Sequence, residues 1–320
     1  MFPFRAPAVG SSPQLRTGRS ALSRRRIVCW ILLVALSTGA GLWARGEIDR
    51  RVARWSYSPA ASLPRAGGTL VIAGGGRLPD SIKRRFLELA GGTTARIVII
   101  PAADLDESDQ RQYSAEWKEL GPESVSVLHA DSRSTSEQPE FSRSLDAATG
   151  VWLGGGQQTW LAAWYRNTPV QERLQALLAR GGVIGGTSAG ASAMSDPMIA
   201  GGRMTPYAGR GLGLAPGLII DQHFIRRNRM SRLMKMLEDH PNLVGLGIDE
   251  GTAVVLSVKS GRFQVIGDSS AVALCLPDGT ASRPRIEFFH AGGDFTVAGL
   301  KDGTPVPPTY GFDLADVLGE

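Results

Sequence analysis

VIGGTSAGASAM, residues 183–194, is the stretch that decides the fold. Val183 and Ile184 form a short β-branched apolar run, the kind buried on both faces of a parallel sheet. Gly186-Thr187-Ser188-Ala189-Gly190 follows at once with the form G-x-S-x-G, and Ala191 to Met194 are good helix material. Strand, glycine-bounded serine and helix in that order make the setting of a nucleophile elbow, a strained turn that lifts a serine above the end of a sheet. Small neighbours are required because the helix backbone passes close to the strand. The helix start would also favour negative charge on the serine oxygen and on a developing oxyanion. A tight turn without chemistry is the bland alternative, because glycine is abundant at 40 of 320 residues.

Outward from this point the chain alternates buried strands with amphipathic helices. Thr69–Ala73 and Ile97–Ile100 are continuous apolar runs bounded by glycine or proline, and Ser124–Leu128 and Val151–Leu153 continue the series. Ile82, Phe86 and Leu89 recur at helical spacing, with Asp80 as candidate N-cap and Gly91-Gly92 as the stop. Thr168-Pro169 opens another helix that carries Leu174, Leu177 and Leu178 on one face and closes at Gly181. The β-α-β-α-β order predicts a three-layer α/β/α domain around a mainly parallel, doubly wound sheet. Past residue 250 the pattern changes. Ala253–Leu256, Phe263–Ile266 and Ala271–Leu276 are separated by turn residues and read as a late antiparallel extension.

A nucleophilic serine needs a base, and the chain offers His129, His223, His240 and His290. His240 precedes a proline after a helix and reads as a surface cap; His129 ends a strand upstream of the serine and reads as structural. His223 follows Leu218-Ile219-Ile220-Asp221, on the edge where sites of parallel sheets form. The orienting acid is Glu250 or Asp249, after the apolar run Val244–Ile248. An α/β-hydrolase esterase shares G-x-S-x-G but orders serine, acid, histidine, which Ser188, Glu250 or Asp268, and His290 would satisfy.

Five stretches, in order, carry a family resemblance: GGTLVIAGGG (67–76), VWLGGGQQ (151–158), GGTSAGASAMSDPMI (185–199), GLGLAPGLIIDQHFIRRNRMSRL (211–233) and GLGIDEGTAVVL (245–256). They resemble the cyanophycinases, serine peptidases with a class I glutamine-amidotransferase-like fold, related to the aspartyl dipeptidases. The resemblance implies Ser188 as nucleophile, His223 as base and Glu250 as orienting acid. It implies Gln158, Asp221, Arg227, Arg229 and Arg232 as substrate contacts. The amide of Ala189 and one from Gly155 or Gly156 would bind the oxyanion. One departure stands out: Gln157 occupies a position usually acidic or Asn, which bears on substrate preference rather than on the triad. The implied substrate is cyanophycin, a polyaspartate with arginine on each β-carboxyl, or another aspartyl or isoaspartyl peptide. A glutamine amidotransferase is disfavoured, because its elbow carries cysteine where Ser188 stands.

The remaining signals are weaker. Gly74-Gly75-Gly76 lacks the third glycine of a dinucleotide fingerprint and there is no Walker A string. Asp104, Asp106, Glu107 and Asp109 lack the glycine of an EF-hand and read as a solvated acidic loop. No cofactor is implied, and no His/Cys cluster has metal-ligand spacing. Read as a helix, the segment after His223 puts Arg226, Arg229 and Arg232 on one face with Arg227 a step round; the face suits carboxylates or is merely solvated. Asp221 is then available to a substrate cation.

Composition is that of a globular protein, 42% hydrophobic and 20% charged with mean hydropathy −0.05, which excludes disorder and a multi-pass membrane protein. The formal charge of +5 is misleading. Residues 1–26 hold six arginines and no acid, whereas the other 294 hold 29 basic and 30 acidic side chains. The body is near neutral, so no nucleic-acid role follows from charge. Ile27 to Trp43 is 17 residues without a charge, about 26 Å as a helix and just enough to cross a hydrocarbon core. Arginines 24–26 ahead of it orient the chain with the body outside the cytoplasm, periplasmic or extracellular. Small residues Ser37, Gly39 and Gly41 leave a cleaved signal peptide open beside an uncleaved anchor. Residues 44–65 read as a linker and 66–320 as the peptidase domain. Cys29 and Cys275 are the two cysteines, too few for a disulfide within that domain. Oligomeric state stays open, a homodimer among the options.

Overall fold

The computed structural model describes residues 67–102, 107–277, 279 and 283–301. The basic tail 1–26, the apolar run 27–43, the linker 44–65, and Asp104 and Asp106 lie outside the described residues.

The parallel half of the main sheet contains β1 (Thr69–Ala73), β2 (Arg96–Ala102), β3 (Ser124–Val127), β4 (Gly150–Gly156) and β5 (Val183–Thr187), in the order β1-β5-β4-β2-β3. The apolar residues of β1, β2, β4 and β5 are buried on both sides, which is why they read as hydrophobic runs, whereas the edge strand β3 alternates exposed serines with half-buried valines. On one face Val71, Ile97, Ile99 and Trp152 pack against α1 (Asp80–Leu89) and α2 (Glu107–Lys118). Phe86 stacks edge-on to Trp117 and Trp152 at 5.4 and 5.1 Å. The N-cap of α1 is Pro79, so Asp80 is its first helical residue and bonds no amide as a cap. Its charge still suits the first turn. Ile82, Phe86 and Leu87 are the buried residues of α1, and Leu89 is half-buried. Glu107 and Asp109, expected in a loop, belong to the first turn of α2.

On the opposite face Leu70, Ile72, Ile100, Leu153 and Ile184 meet α3 (Gln158–Tyr165) and α4 (Pro169–Ala179). Thr168 and Pro169 open α4 as the sequence predicts, with Leu174, Leu177 and Leu178 inward. The chain continues through α5 (Ala189–Ser192), the hairpin β6 (Met198–Gly201) and β7 (Tyr207–Gly209), then β8 (Leu218–Gln222), α6 (Met230–Asp239) and β9 (Val244–Ile248). It ends with β10 (Thr252–Ser257), β11 (Arg262–Gly267), β12 (Ser270–Cys275), β13 (Arg285–His290) and β14 (Asp294–Thr296). Strand β10 pairs antiparallel with β1, β11 with β10, and β14 with β11, extending the main sheet at its β1 edge.

The third late run goes elsewhere. Strand β12 leaves the main sheet and joins a second one, ordered β13-β12-β9-β8, in which β8 and β9 are parallel. Leu218, Ile220, Leu246, Ala271 and Ala273 share the core of Leu70 and Ile72. Ile219, Val272 and Leu274 on the other face are covered by Leu233, Met236 and Leu237 of α6. The small sheet is apolar on both faces and must therefore be sandwiched. One outer layer of the α/β/α domain is thus helices plus a covered sheet, and the C-terminal ends of β1, β5, β8 and β9 meet at residues 74–76.

Candidate active site

Ser188 stands between β5 and α5 with φ 52° and ψ −111°, a conformation that non-glycine residues rarely adopt. Its amide donates to the carbonyl of Ala73 at 3.1 Å, which ties the turn to the end of β1. A side chain on Gly190 would lie 2.2 Å from the Leu153 carbonyl oxygen, so α5 can start here only with glycine at that position. Strand, turn and helix follow the order read from the sequence. The helix is only four residues long, so its dipole adds little and individual amides must do the polar work.

Ser188 Oγ lies 2.9 Å from His223 Nε2. On the far side of the ring, His223 Nδ1 lies 2.5 Å from Glu250 Oε1. A carboxylate facing Nδ1 fixes the proton there, so Nε2 is the acceptor and the serine hydroxyl donates. The His223 side chain is 9% exposed and that of Glu250 33%. Burial pushes the His223 pKa below its ordinary value; the hydrogen bond to Glu250 opposes this, and the charges of Arg227 and Arg229 add to the lowering. The imidazole is therefore neutral at neutral pH.

The other candidates separate cleanly. Asp249 accepts the Arg226 amide at 2.9 Å and the Ser269 hydroxyl at 3.0 Å, a structural role beside Glu250. His290 pairs with Ser270 Oγ at 2.7 Å across β12 and β13, so the serine–acid–His290 order of an esterase is not assembled. His240 is the C-cap residue of α6, and the His129 ring lies edge-on to Trp164.

Sequence reading missed what holds the three groups together. Three successive carbonyls at the end of β1 each receive one amide: Ala73 from Ser188, Gly74 from His223 at 2.7 Å and Gly75 from Gly251 at 3.0 Å. The same segment must also be bare. A side chain on Gly75 would lie 2.5 Å from His223 Cε1, and one on Gly76 would lie 2.9 Å from Glu250 Oε2. The signal was visible as a triple glycine after the first strand, set aside for failing to be a nucleotide loop.

The arginines do not share a helix face. Residues 223–228 form turns, and α6 begins only at Met230. His223 and Asn228 hold positive φ, 48° and 49°, which interrupts any helix through the segment. The turn nonetheless brings Arg226, Arg227, Arg229 and Arg232 to one pocket of about 660 Å³ beside Ser188, with Gln158, Gln222 and, from the hairpin loop, Arg203. Gly156 lines it too, and Gly155 stands so that a Cβ there would touch Ser188 Cβ at 3.8 Å.

Asp221 is not free for a substrate cation. It is fully buried and held by Arg232 through Nε at 2.8 Å and through Nη2, with Arg229 Nη1 at 3.3 Å. Arg232, 4% exposed, gives Nη1 to the Gly202 carbonyl at 2.7 Å and so holds the hairpin loop. Arg229 also bonds Gln222 Oε1 at 2.8 Å; burial pushes its pKa down to about 10, so it stays charged at neutral pH. Gln158 directs its amide nitrogen at the Ile199 and Ala200 carbonyls of β6, at 3.1 and 3.3 Å. Arg203, Arg226 and Arg227 are the exposed cations of the pocket. Among the described residues no group of His, Cys, Asp and Glu is arranged to hold a metal ion.

Residues 70–264 match the profile of peptidase family S51. The chain belongs to that family. Relatives similar to it include the cyanophycinase of Geminocystis herdmanii, 38% identical over 195 residues, 58% of this chain and 71% of that one. The cyanophycinase of Nostoc sp. is 38% identical over 221 residues, 65% and 74% of the two chains. The crystal structure of a peptidase from an acI-B1 Actinobacterium superposes with TM-score 0.58 at 24% identity, covering 73% of this chain and 98% of that one, which supports the same fold. This S51 protein is a serine-type peptidase, as its family and its relatives establish.

Proposed function

We propose that the chain is a cyanophycin-degrading exopeptidase working through Ser188, His223 and Glu250. The observation that carries this reading is the unbroken hydrogen-bond chain from Ser188 Oγ through the His223 ring to Glu250, with Ser188 lining an arginine-rich pocket. Ser188 Oγ attacks the scissile carbonyl carbon while its proton passes to Nε2. Glu250 keeps the Nδ1 tautomer in place and stabilises the imidazolium as it forms. The oxyanion lies against the Ala189 amide and that of Gly155 or Gly156. Collapse of the tetrahedral adduct breaks the C–N bond, and His223 hands its proton to the leaving nitrogen. Water then attacks the acyl-enzyme by the same route, and Ser188 is regenerated.

Substrate preference follows from charge. The described lining of the pocket has five arginines and no carboxylate, so it suits an acidic group, bound in bidentate fashion by guanidinium. The curated relatives are cyanophycinases, and cyanophycin presents such groups as the free α-carboxylates of its arginines. The position of the catalytic body is part of the proposal: the apolar run 27–43 behind a six-arginine tail holds it outside the cytoplasm. Among the described residues no helix is long and apolar enough to cross a membrane, and residues 27–43 lie outside them.

The test offers the full-length protein cyanophycin, α-aspartyl dipeptides and a p-nitrophenyl ester in parallel. Release of β-Asp-Arg from the polymer, abolished by Ser188→Ala, is the expected result. Dipeptide cleavage with the polymer untouched would move the protein to the dipeptidase branch.

A further inference from the structure

The arginine-lined pocket occupies one side of the nucleophile only. Along β5, Gly186 faces Met194 and α5, whereas a side chain on Gly185 would strike Trp152 and Phe86 on the opposite face. Thr187 shares the face of Gly185, because side chains alternate along a strand. Ser188 therefore sits on the crest of the sheet, with space available on both faces. On the Thr187 side a second cavity of about 420 Å³ opens, bounded by Thr187 and by Gly76, where a side chain would strike Glu250.

We propose that this cavity is a second substrate subsite, which takes a zwitterionic group from the residue across the scissile bond. The inference rests on Ser188 as the nucleophile, since it is the position of Ser188 on the crest that makes a substrate cross from one cavity to the other. The two linings differ in charge. The first presents arginines alone, but the second presents two cations, Arg77 and Lys83, and two acids, Asp80 and Glu116. Lys83 Nζ is 3.1 Å from Glu116 Oε2, whereas Arg77 and Asp80 are exposed three residues apart at the start of α1. A ligand with only a carboxylate or only a cation would leave one of those charges facing its like. A group with both ends satisfies the cavity, its carboxylate toward Arg77 and its cation toward Asp80 and Glu116. The almost fully buried Trp117 and Trp152 give the lining an apolar part, suited to an aliphatic stem. Tyr113 adds a hydroxyl whose pKa is raised by burial and then by Glu116, so it remains a hydrogen-bond donor at neutral pH. The arginine of a β-Asp-Arg unit, with a free carboxylate and a guanidinium, is a group of this class.

The test compares wild type, Arg77→Ala and Asp80→Asn in the full chain, using cyanophycin, p-nitrophenyl acetate and L-arginine as an inhibitor of acetate-ester hydrolysis. Both substituted residues are exposed, so the fold is spared. Each variant should raise KM for the polymer by about 3–10-fold with kcat within twofold, and weaken inhibition by L-arginine to the same extent. Ester turnover without inhibitor should stay at the wild-type level, because the bound ester has neither a carboxylate nor a cation for Arg77 or Asp80 to meet. Unchanged KM and unchanged inhibition in both variants would overturn the subsite, as would ester turnover falling in step with polymer turnover. If the polymer is not cleaved at all, the inhibition arm alone decides by the same criterion. Failure of the Ser188 reading shows differently, as ester hydrolysis that survives Ser188→Ala.

Discussion

Replacing Gly75 by alanine is a test of the site that removes none of the proposed catalytic groups. The new methyl would stand 2.5 Å from His223 Cε1 and 2.6 Å from Nε2, where ordinary carbon contacts are about 3.5 Å or more. One of the two must move by about 1 Å. The backbone of Gly75 is held, since its carbonyl accepts the Gly251 amide and the preceding carbonyl accepts that of His223. The imidazole yields, and the 2.9 Å contact with Ser188 Oγ opens. A displacement of about 1 Å at a reacting pair costs on the order of 10²-fold in rate. The residue also sits at φ 101°, outside the ordinary range of an L side chain, at a stability cost of about 1–3 kcal/mol. For a domain of this size that lowers Tm by roughly 2–12 °C. The assay is kcat/KM on the best peptide substrate at 25 °C, with circular dichroism to show that the variant is folded. Gly75→Ala in a His223→Ala background should cost almost nothing further in rate, because the group it displaces is already gone. A folded Gly75→Ala enzyme within threefold of wild type would refute the argument that this glycine is there to make room for the base.

The remaining predictions concern charge and topology. Ser188→Ala or His223→Ala should lower kcat by on the order of 10⁵–10⁶, and Glu250→Gln by on the order of 10⁴, measured by peptide hydrolysis. Arg227→Gln should move the acid limb of kcat/KM to higher pH: activity needs neutral His223, its pKa is lowered by burial and, among the charges, by Arg227, and removing that charge lets it rise. A pH profile at low salt that does not move, or moves down, would contradict this. Asp221→Asn should cost about 3–5 kcal/mol of stability, read as a fall in Tm, because Arg232 and Arg229 would be left without their buried counter-charge. A C-terminal alkaline phosphatase fusion should be active, placing the body outside the cytoplasm; an inactive fusion at normal expression would reverse that topology.

Much of this was legible because the relevant signals are local. Thr69–Ala73 was bounded to the residue, since a strand buried on both faces leaves no polar position to blur its ends. The elbow was legible because strand, glycine, serine and helix are consecutive. What escaped depends on contacts distant in sequence. Ala271–Leu276 reads the same whether it pairs with β11 or with β9, and only β9 and α6 together decide for the second sheet. The segment 223–229 has helical spacing of arginines, yet positive φ at His223 and Asn228 breaks it; Asn and His are enriched in that conformation but adopt it in only a minority of cases. The triple glycine is visible in the sequence but its purpose is not, because that lies in His223 and Glu250, far along the chain.

The buried aspartate explains how so basic a pocket can exist. Five guanidinium groups around about 660 Å³ repel one another, and the two most buried, Arg229 and Arg232, would suffer most from lost hydration. Asp221 answers both with one carboxylate, placed by β8 one position before Gln222, whose carbonyl and side-chain oxygen take further donors of Arg229. The pair is therefore half-neutralised from below, and Arg232 is free to spend a donor on the Gly202 carbonyl and fix the hairpin rim. Positive charge is left at the mouth, on Arg203, Arg226 and Arg227, where water solvates it until an anion arrives. The arginines thus divide into a buried set that builds the wall and an exposed set that attracts the ligand. Sequence spacing could not separate the two sets, since Arg229 and Arg232 stand among the others with nothing in their neighbours to mark them. The separation appears only when β8 brings Asp221 beneath the turn.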